Sequence, residues 1–353
     1  MEFIHGGDIY TEGVLKGREL IDFSSNINPL GVPKSFKDNI EEALANVTRY
    51  PDVKYRELIG QLKEYIASVP LSDENLILGN GAAEVIDLAI SSFKNILIAV
   101  PSFAEYEEDA VKWNSNIMYS YLSEDMEYDY EDIYSKLNEV DALVIANPNN
   151  PSGNVIDKKS FEKIINFCEE NNKTIIIDEA FIEFTGRKVQ SFIDEVHSYK
   201  CLFIIRALTK FFALPGIRFG FGVCRNTELI NKLKKRQNPW NINCFAETAA
   251  KYVLKDKEYI EKSMKWIEEE KKYLPEMLKT IPFIHKVYNT NSNYVLCKLK
   301  GITGEDLYHK CMEQGVVIRR AGNFRGLDDS FVRFAIKDRA LNLTLLDALN
   351  KIS

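Results

Sequence analysis

Three charged side chains near the middle of the chain have the types and spacing needed to bind an aldehyde cofactor. Lys210 follows an apolar run, Arg218 stands eight positions later, and Asp178 ends another apolar run 32 positions before Lys210. A lysine can form an imine with an aldehyde, an aspartate can keep a ring nitrogen protonated, and an arginine can hold a phosphate. Pyridoxal 5'-phosphate (PLP) needs all three groups.

Each of these residues also has an ordinary structural interpretation. A charged residue after an apolar run is usually a solvated strand end or a helix cap, so single motifs are only hypotheses. Two further segments favour the functional interpretation, because they stand where a cofactor site needs tight turns. They read LGNGAAE at 78–84 and ANPNNPSG at 146–153.

Taken together, these segments resemble those of the class I and II aminotransferase superfamily, which are PLP enzymes of fold type I. The resemblance covers nearly the whole chain and is to the branch that holds histidinol-phosphate aminotransferase and threonine-phosphate decarboxylase. Several segments resemble the decarboxylase of the cobalamin pathway more closely. They are HGGD (5–8), DFSSNINPLG (22–31), PSFAEY (101–106), DEAFI (178–182) and LTKF (208–211).

Short apolar runs alternate with charged stretches of helical spacing, and this predicts an α/β protein with a mostly parallel sheet. One such helix, Lys158 to Glu170, places four apolar residues on one face: Phe161, Ile164, Ile165 and Cys168. In a sheet of this kind the ligand lies beyond the carboxyl ends of the strands. The predicted strands are 76–78, 96–100, 142–146, 175–177, 202–205 and 219–223.

The pattern changes after about residue 245, where a long charged segment precedes shorter apolar runs. The resemblance to fold type I implies three parts of the chain. An N-terminal arm, 1–30, contributes to the substrate site. A large PLP-binding domain covers 31–245, and a small α+β domain covers 246–353.

Composition excludes several other classes of protein. The 353 residues are 45% hydrophobic and carry a net charge of −7, whereas a nucleic-acid-binding surface needs a basic excess. Six scattered cysteines without a Cys-x-x-Cys pair predict free thiols in a reducing compartment and no metal site. The first residues lack a signal-peptide pattern, and no apolar run is long enough to span a bilayer. We therefore expect a cytoplasmic enzyme without nucleic-acid or membrane partners.

The resemblance assigns roles around the cofactor ring. It implies that Lys210 carries the cofactor and moves a proton at the substrate α-carbon, and that Asp178 pairs with the pyridine nitrogen. Asn147 matches the asparagine that donates to the phenolic oxygen, although an Asn before Pro is also a common turn residue. Phe103 stands where an aromatic side chain stacks on the ring, and plain core packing is its alternative.

The cofactor phosphate is expected at the start of a helix, where free amides and the helix dipole attract anions. The resemblance assigns it to Gly81, Ala82 and Ala83, with a hydroxyl from Thr209 and a cation from Arg218. It also implies that Tyr50 reaches the phosphate from the neighbouring subunit. A homodimer is therefore expected.

For the substrate, Arg333 matches the family arginine that binds an acidic group, for which a planar fork is suited. Arg319, His5 and Asn26 match positions that surround the substrate phosphate in the decarboxylase pattern. Arg320 is an additional cation, for which a solvated strand end is an equal alternative. The expected partner is a small phosphorylated amino compound.

Two positions depart from the pattern of many aminotransferases. Phe181 stands where they place Tyr, and Ala207 replaces a hydroxyl-bearing residue. The first removes a hydrogen bond to the cofactor phenolate, and the second removes one phosphate contact. The decarboxylase relatives share the Phe.

The leading functional prediction is a threonine-phosphate decarboxylase-like enzyme. The alternative is a histidinol-phosphate aminotransferase that uses 2-oxoglutarate as amino acceptor, because the substrate's orientation decides which bond at the α-carbon breaks. A remote alternative is a non-catalytic regulator with this fold. Such a regulator would be expected to carry a basic DNA-binding domain, and the chain begins directly with the His5 arm.

Overall fold

The computed structural model describes residues 6–66, 70–186 and 191–352, so His5 lies outside the described residues. The helices are α1 Ile9–Glu12, α2 Lys34–Lys37, α3 Ile40–Asn46, α4 Arg56–Tyr65, α5 Ala82–Ile90, α6 Glu105–Lys112, α7 Tyr130–Lys136, α8 Lys158–Glu170, α9 Thr227–Lys234, α10 Cys244–Val253, α11 Lys257–Leu278, α12 Gly304–Glu313 and α13 Arg339–Ile352.

The strands form three sheets. Their bounds are β1 Ile21–Asp22, β2 Leu76–Gly79, β3 Asn95–Val100, β4 Asn116–Tyr121, β5 Ala142–Ala146, β6 Thr174–Asp178, β7 Leu202–Ala207, β8 Gly220–Cys224, β9 Ile284–Val287, β10 Tyr294–Leu299, β11 Val316–Val317, β12 Arg319–Arg320 and β13 Phe331–Ala335.

The central sheet has seven strands in the order β2-β8-β7-β6-β5-β3-β4. The five strands from β7 to β4 pair in parallel, while β8 is antiparallel to both of its neighbours. Every residue of β5, β6 and β7 is buried, because helices cover both faces of the sheet. The predicted α/β class with a mostly parallel sheet is thus confirmed.

Helix α8 shows how local sequence produces these elements. The Asp157 side chain accepts a hydrogen bond of 2.9 Å from the Ser160 amide and so caps the first turn. The four apolar residues predicted to share one face are all buried against the sheet: Phe161, Ile164, Ile165 and Cys168. The observed bounds match the predicted ones.

Four strands lie outside the predicted apolar runs, β1, β4, β9 and β12, and each is an edge strand of its sheet. Each has only one neighbour and contains half-buried or exposed residues, so none carries a continuous apolar run. A domain boundary after residue 245 would fall inside α10, and Lys251 and Tyr252 of that helix both bond Glu42 of α3. The division into domains therefore stays a prediction.

The N-terminal arm packs against the C-terminal part of the chain. Strand β1 pairs in parallel with β11, with Ile21 opposite Val316. The Phe23 amide then donates to the Val317 carbonyl over 2.7 Å, and the Phe23 carbonyl accepts from Ala335 over 2.8 Å. These bonds hold the arm beside the four-stranded sheet β12-β13-β10-β9.

Within the described residues, no helix is long and apolar enough to cross a membrane. In the same part of the chain, no three His, Cys, Asp or Glu side chains form a group that could hold a metal ion.

Gly220 permits strand β8 to lie directly against the start of α5. A Cβ atom at this position would stand 2.4 Å from the Ala82 nitrogen and 2.7 Å from the Ala82 Cα. Backbone atoms cannot move aside as a flexible side chain can. The close approach brings Arg218, two residues earlier, to the N-terminus of α5.

We predict that Gly220→Ala lowers the free energy of unfolding by about 1–3 kcal/mol, because the new methyl group overpacks two backbone segments. The matched control is Gly60→Ala at an exposed position of α4, where a Cβ meets nothing within 4 Å. That change should raise stability by about 0.5–1 kcal/mol through helix propensity. Denaturant unfolding of both variants checks this, and an equally stable Gly220→Ala protein would contradict it.

Candidate active site

A cavity of about 290 Å³ opens at the carboxyl ends of β5, β6 and β7, next to the small C-terminal sheet. Its charged lining comprises four basic and two acidic side chains, so the cavity favours anionic ligands. The predicted site residues that line it are Asn26, Ala82, Ala83, Phe103, Asp178, Thr209, Lys210, Arg218, Arg319 and Arg333.

Three predicted residues lie elsewhere among the described ones. Gly81 is the residue before α5, adjacent to the wall. Asn147 is fully buried between two lining residues, Ala146 and Pro148, and its Oδ1 accepts from the Ile156 amide over 3.0 Å. Tyr50 is 79% exposed on the surface, outside the cavity lining of its own chain. The roles proposed for these residues stay predictions.

Asp178 ends β6 with both carboxylate oxygens held. The Tyr106 hydroxyl donates to Oδ2 over 2.6 Å, and the Ala180 amide donates to Oδ1 over 2.9 Å. Burial raises the pKa of Asp178, and these two bonds oppose that rise. Burial takes the Asp178 carboxylate out of water. A cationic ring nitrogen placed against it would compensate for this loss and favour the ionised form.

Lys210 follows β7 by three residues and lines the cavity. Burial, together with the cations Arg333 and Arg218, lowers the pKa of Lys210 to about 8. A lysine with this pKa presents a substantial fraction of neutral amine near neutral pH. The neutral amine is the nucleophilic form.

The part of the cavity at the start of α5 fits a phosphate. Helix α5 begins after Gly81, which has a positive φ of 85° and no side chain that caps the first turn. A Cβ on Gly81 would lie 2.4 Å from Nη2 of Arg218, so the glycine leaves room for the guanidinium. The uncapped amides and Arg218 therefore lie together at a place suited to an anion, and Thr209 lines the same cavity.

Arg319 and Arg333 lie opposite each other on β12 and β13, and both are only 5% exposed. Arg333 donates to the Ser24 carbonyl over 2.8 Å and to Asn150 Oδ1. Arg319 donates to Asn323 Oδ1 over 2.8 Å and to a backbone carbonyl. All of these partners are neutral.

Arg206 shows the contrasting case of a buried arginine with carboxylate partners. It contacts Glu179 over 2.9 Å and Glu183 over 3.1 Å, and it donates to the Ser191 hydroxyl over 2.7 Å. This cluster lies behind Asp178 and fixes the ends of β6 and β7. Within the described residues, Arg319 and Arg333 have no such ion pair, so their charge awaits a ligand.

The neighbouring cation Arg320 points away from the cavity. Its guanidinium pairs with Glu305 of α12 and lies 4.7 Å from the Tyr308 ring centroid. The structure thus favours its interpretation as a strand-end charge.

Both departures from the family pattern, Phe181 and Ala207, line the cavity. Phe181 packs edge-on against Tyr294, at 5.2 Å between ring centroids.

Sequence reasoning missed several residues that complete the site. Tyr106 holds Asp178, Asn150 and Ser24 hold Arg333, and Glu105 lines the cavity. Burial raises the pKa of Glu105 to about 8. Segment 101–106 could have indicated Glu105 and Tyr106, since both carry polar groups and begin α6 close to Phe103 in the chain. Their contacts could be known only from the folded structure.

Asn26 leaves an unsatisfied acceptor in the wall of the cavity. It is 3% exposed, and among the described residues its Oδ1 has no hydrogen-bond partner. A buried acceptor without a donor is unfavourable until a ligand or a rotated amide satisfies it. The Asn26 side-chain oxygen can therefore accept a hydrogen bond from a polar ligand.

Fold and site together define a PLP-dependent enzyme of fold type I, because a lysine, a buried carboxylate and an anion cradle meet at one edge of the sheet. Residues 18–349 match the family model described as aminotransferase class I and II. The chain belongs to this family.

Individual relatives carry two different functional names. A Caldanaerobacter subterraneus subsp. tengcongensis protein named "Putative threonine-phosphate decarboxylase" is 41% identical over 98% of this chain and 92% of its own length. Threonine-phosphate decarboxylase of Salmonella typhimurium is 32% identical over 99% of this chain and 96% of its own. The crystal structure of histidinol-phosphate aminotransferase from Clostridium acetobutylicum has a TM-score of 0.92 and 54% identity, covering 94% of this chain and 99% of that one.

We predict that the Lys210 amine reacts with acetic anhydride in the cofactor-free protein with a midpoint near pH 8, because only the neutral amine is acylated. Exposed Lys262 is the internal control, since its hydrogen bond to Glu258 raises its pKa. Arg333→Met should move the Lys210 midpoint upward, because a neighbouring cation is removed. Mass spectrometry of labelled peptides measures both, and parallel titration of the two lysines would contradict the prediction.

Proposed function

We propose that the protein decarboxylates L-threonine O-3-phosphate. The observation that carries this proposal is the pair of buried guanidinium groups, Arg319 and Arg333, that face one cavity with only neutral hydrogen-bond partners described. Two such cations suit a small substrate with two acidic groups. Threonine phosphate carries a phosphate and a carboxylate in one molecule. Histidinol phosphate carries a phosphate alone, and the aminotransferase alternative supplies two acidic groups only with its second substrate, 2-oxoglutarate.

Each arginine has a proposed task. Arg319 binds the phosphate together with Asn26 and His5, and Arg333 binds the carboxylate with its planar fork. The burial of both guanidinium groups supports this division, since charge-assisted bonds are strongest away from water. Fixing both ends of the substrate also sets which bond at the α-carbon stands perpendicular to the cofactor ring, and that bond is the one that breaks.

PLP, when bound, supplies an electron-poor ring that accepts the electron pair left on the substrate α-carbon. Asp178 holds the proton on the ring nitrogen, supported from behind by Tyr106. Phe103 and Asn147 complete the ring's surroundings. Arg218, Thr209 and the α5 amides of Ala82 and Ala83, after Gly81, hold the phosphate of the cofactor.

Lys210 carries the cofactor and then serves as the proton donor at the α-carbon. Breaking the bond between the α-carbon and the carboxylate releases carbon dioxide, and the α-carbon takes up one proton in its place. The lowered pKa of Lys210 suits an amine that must both attack and return a proton near neutral pH. The product is aminopropanol phosphate.

The alternative function is transamination of histidinol phosphate with 2-oxoglutarate. It is favoured by the 54% identity to the structure that bears this name. Both reactions begin on the same cofactor and need the same lysine and aspartate. They differ in whether a hydrogen or a carboxylate leaves the α-carbon, so the products distinguish them.

We predict that the protein with bound PLP releases carbon dioxide from L-threonine O-3-phosphate without any keto acid. L-threonine should react at least about a hundredfold less efficiently, because the buried Arg319 is left without the phosphate. Coupled assays for carbon dioxide and for glutamate measure the two reactions, with Lys210→Ala as the inactive control. Glutamate from histidinol phosphate and 2-oxoglutarate, with threonine phosphate inert, would show that the alternative is right.

We also propose that two chains form a dimer in which Tyr50 reaches the partner's cofactor phosphate. Tyr50 is exposed and packs at a tilt against Trp240, at 4.8 Å between ring centroids. Five apolar side chains between residues 30 and 53 of the chain are exposed as well, which supports a covered surface in the assembly. They are Leu30, Ile40, Leu44, Val47 and Val53.

Hybrid dimers test this arrangement. When Lys210→Ala and Tyr50→Ala chains are co-expressed with different tags, each hybrid has one site with both residues intact. Statistical pairing should then restore about a quarter of wild-type activity, because half of the dimers are hybrid. A Tyr50 that acted within its own chain would give no recovery above the two parent variants.

We further propose that the enzyme works in the cytoplasm. All six cysteines are free thiols, and five of them are buried, which suits a reducing compartment.

A further inference from the structure

The loop between β12 and β13 supports Arg319 from two sides. Asn323 accepts a hydrogen bond of 2.8 Å from Nη2 of Arg319. The ring of Phe324 lies under the guanidinium, at 4.9 Å from Cζ to the ring centroid. Phe324 also lines the cavity. The position of Arg319 thus depends on where this loop, residues 321–328, is held.

Arg325 fastens the 321–328 loop to helix α6 and strand β4. Its Nε donates to Oε2 of Glu107 over 2.7 Å, and its Nη2 donates to the other carboxylate oxygen, so the contact is bidentate. The guanidinium also lies 4.3 Å from the ring centroid of Tyr119 in β4. Glu107 belongs to α6, the helix that carries Glu105 and Tyr106 into the cavity wall.

Gly326 lets the loop approach the large domain closely. It adopts a positive φ of 89°, and a Cβ there would stand 3.1 Å from the Tyr121 ring. Two adjacent residues therefore hold the loop: Arg325 through its ion pair with Glu107, and Gly326 through its close packing against Tyr121. Neither Arg325 nor Glu107 lines the active-site cavity itself.

We propose that the Arg325–Glu107 ion pair positions Arg319 and thereby sets the enzyme's affinity for the acidic group of its substrate. This rests on the proposed function in one respect, the assignment of Arg319 to that group. Arg325 and Glu107 are positioning residues, because they act through Asn323 and Phe324. A partly exposed ion pair contributes little to overall stability, so its loss should change affinity more than folding.

The test compares Arg325→Met with Arg320→Met in the holoenzyme. Arg320 is a close match, since it too pairs with a glutamate and lies over a tyrosine ring, and it is adjacent to Arg319 in sequence. Its loss removes one positive charge near the site without releasing the 321–328 loop. We expect Arg325→Met to raise KM for threonine phosphate about tenfold with kcat within twofold, and Arg320→Met to leave both near wild type.

Two further variants separate positioning from a general loss of charge. Glu107→Gln should raise KM as much as Arg325→Met, and the double variant should add nothing, because either change opens the same contact. The exchanged pair, Glu107→Arg with Arg325→Glu, should recover most of the affinity. Additive single effects, or an equal KM increase in Arg320→Met, would overturn the proposal.

Amide hydrogen exchange gives a readout that needs no substrate. In Arg325→Met, exchange should accelerate at residues 319–327 while the central sheet stays protected. If wild-type enzyme does not decarboxylate threonine phosphate, the proposed function fails, and KM is then measured on the substrate that is turned over. Unchanged exchange in the 321–328 loop, or an unchanged KM, would show that Arg325 does not position Arg319.

Discussion

The active site depends on keeping guanidinium groups out of water without giving them carboxylate partners. Removing a charge from water costs free energy that only a nearby opposite charge and good hydrogen bonds recover. Arg206 meets this requirement internally with Glu179 and Glu183. Arg319 and Arg333 have neutral hydrogen-bond partners in the described structure, so this part of the cavity favours an anionic ligand.

The same electrostatic environment prepares the amine. Burial and the cations Arg333 and Arg218 lower the pKa of Lys210, which keeps its nucleophilic form available. Asp178 experiences the opposite constraint, because burial raises the pKa of a carboxyl group. Tyr106 and the Ala180 amide hold its two oxygens in place. The same cavity therefore raises the pKa of its acid, Asp178, and lowers the pKa of its base, Lys210. Such shifted pKa values are common in catalytic sites.

Three distant stretches of chain build the cavity; two are held by backbone contacts and the third by an ion pair. Strand β1 attaches the arm to β11, which brings Ser24 and Asn26 beside β13. Gly220 brings β8 against α5, which brings Arg218 to the helix N-terminus. The 321–328 loop joins the C-terminal sheet to α6 through Arg325 and Glu107. The residues proposed to bind substrate and cofactor therefore lie on elements whose relative positions are fixed by packing.

The sequence alone determined the α/β class, most of the strands and helix α8, because buried strands and amphipathic helices leave periodic apolar patterns. It also identified Lys210, Asp178 and Arg218, since each follows or precedes such a run at a recognisable spacing. The sequence left the role of Arg320 open, and only the tertiary structure decided that it points away from the cavity. Arg319 points inward and Arg320 pairs with Glu305, because successive side chains of a strand project to opposite faces.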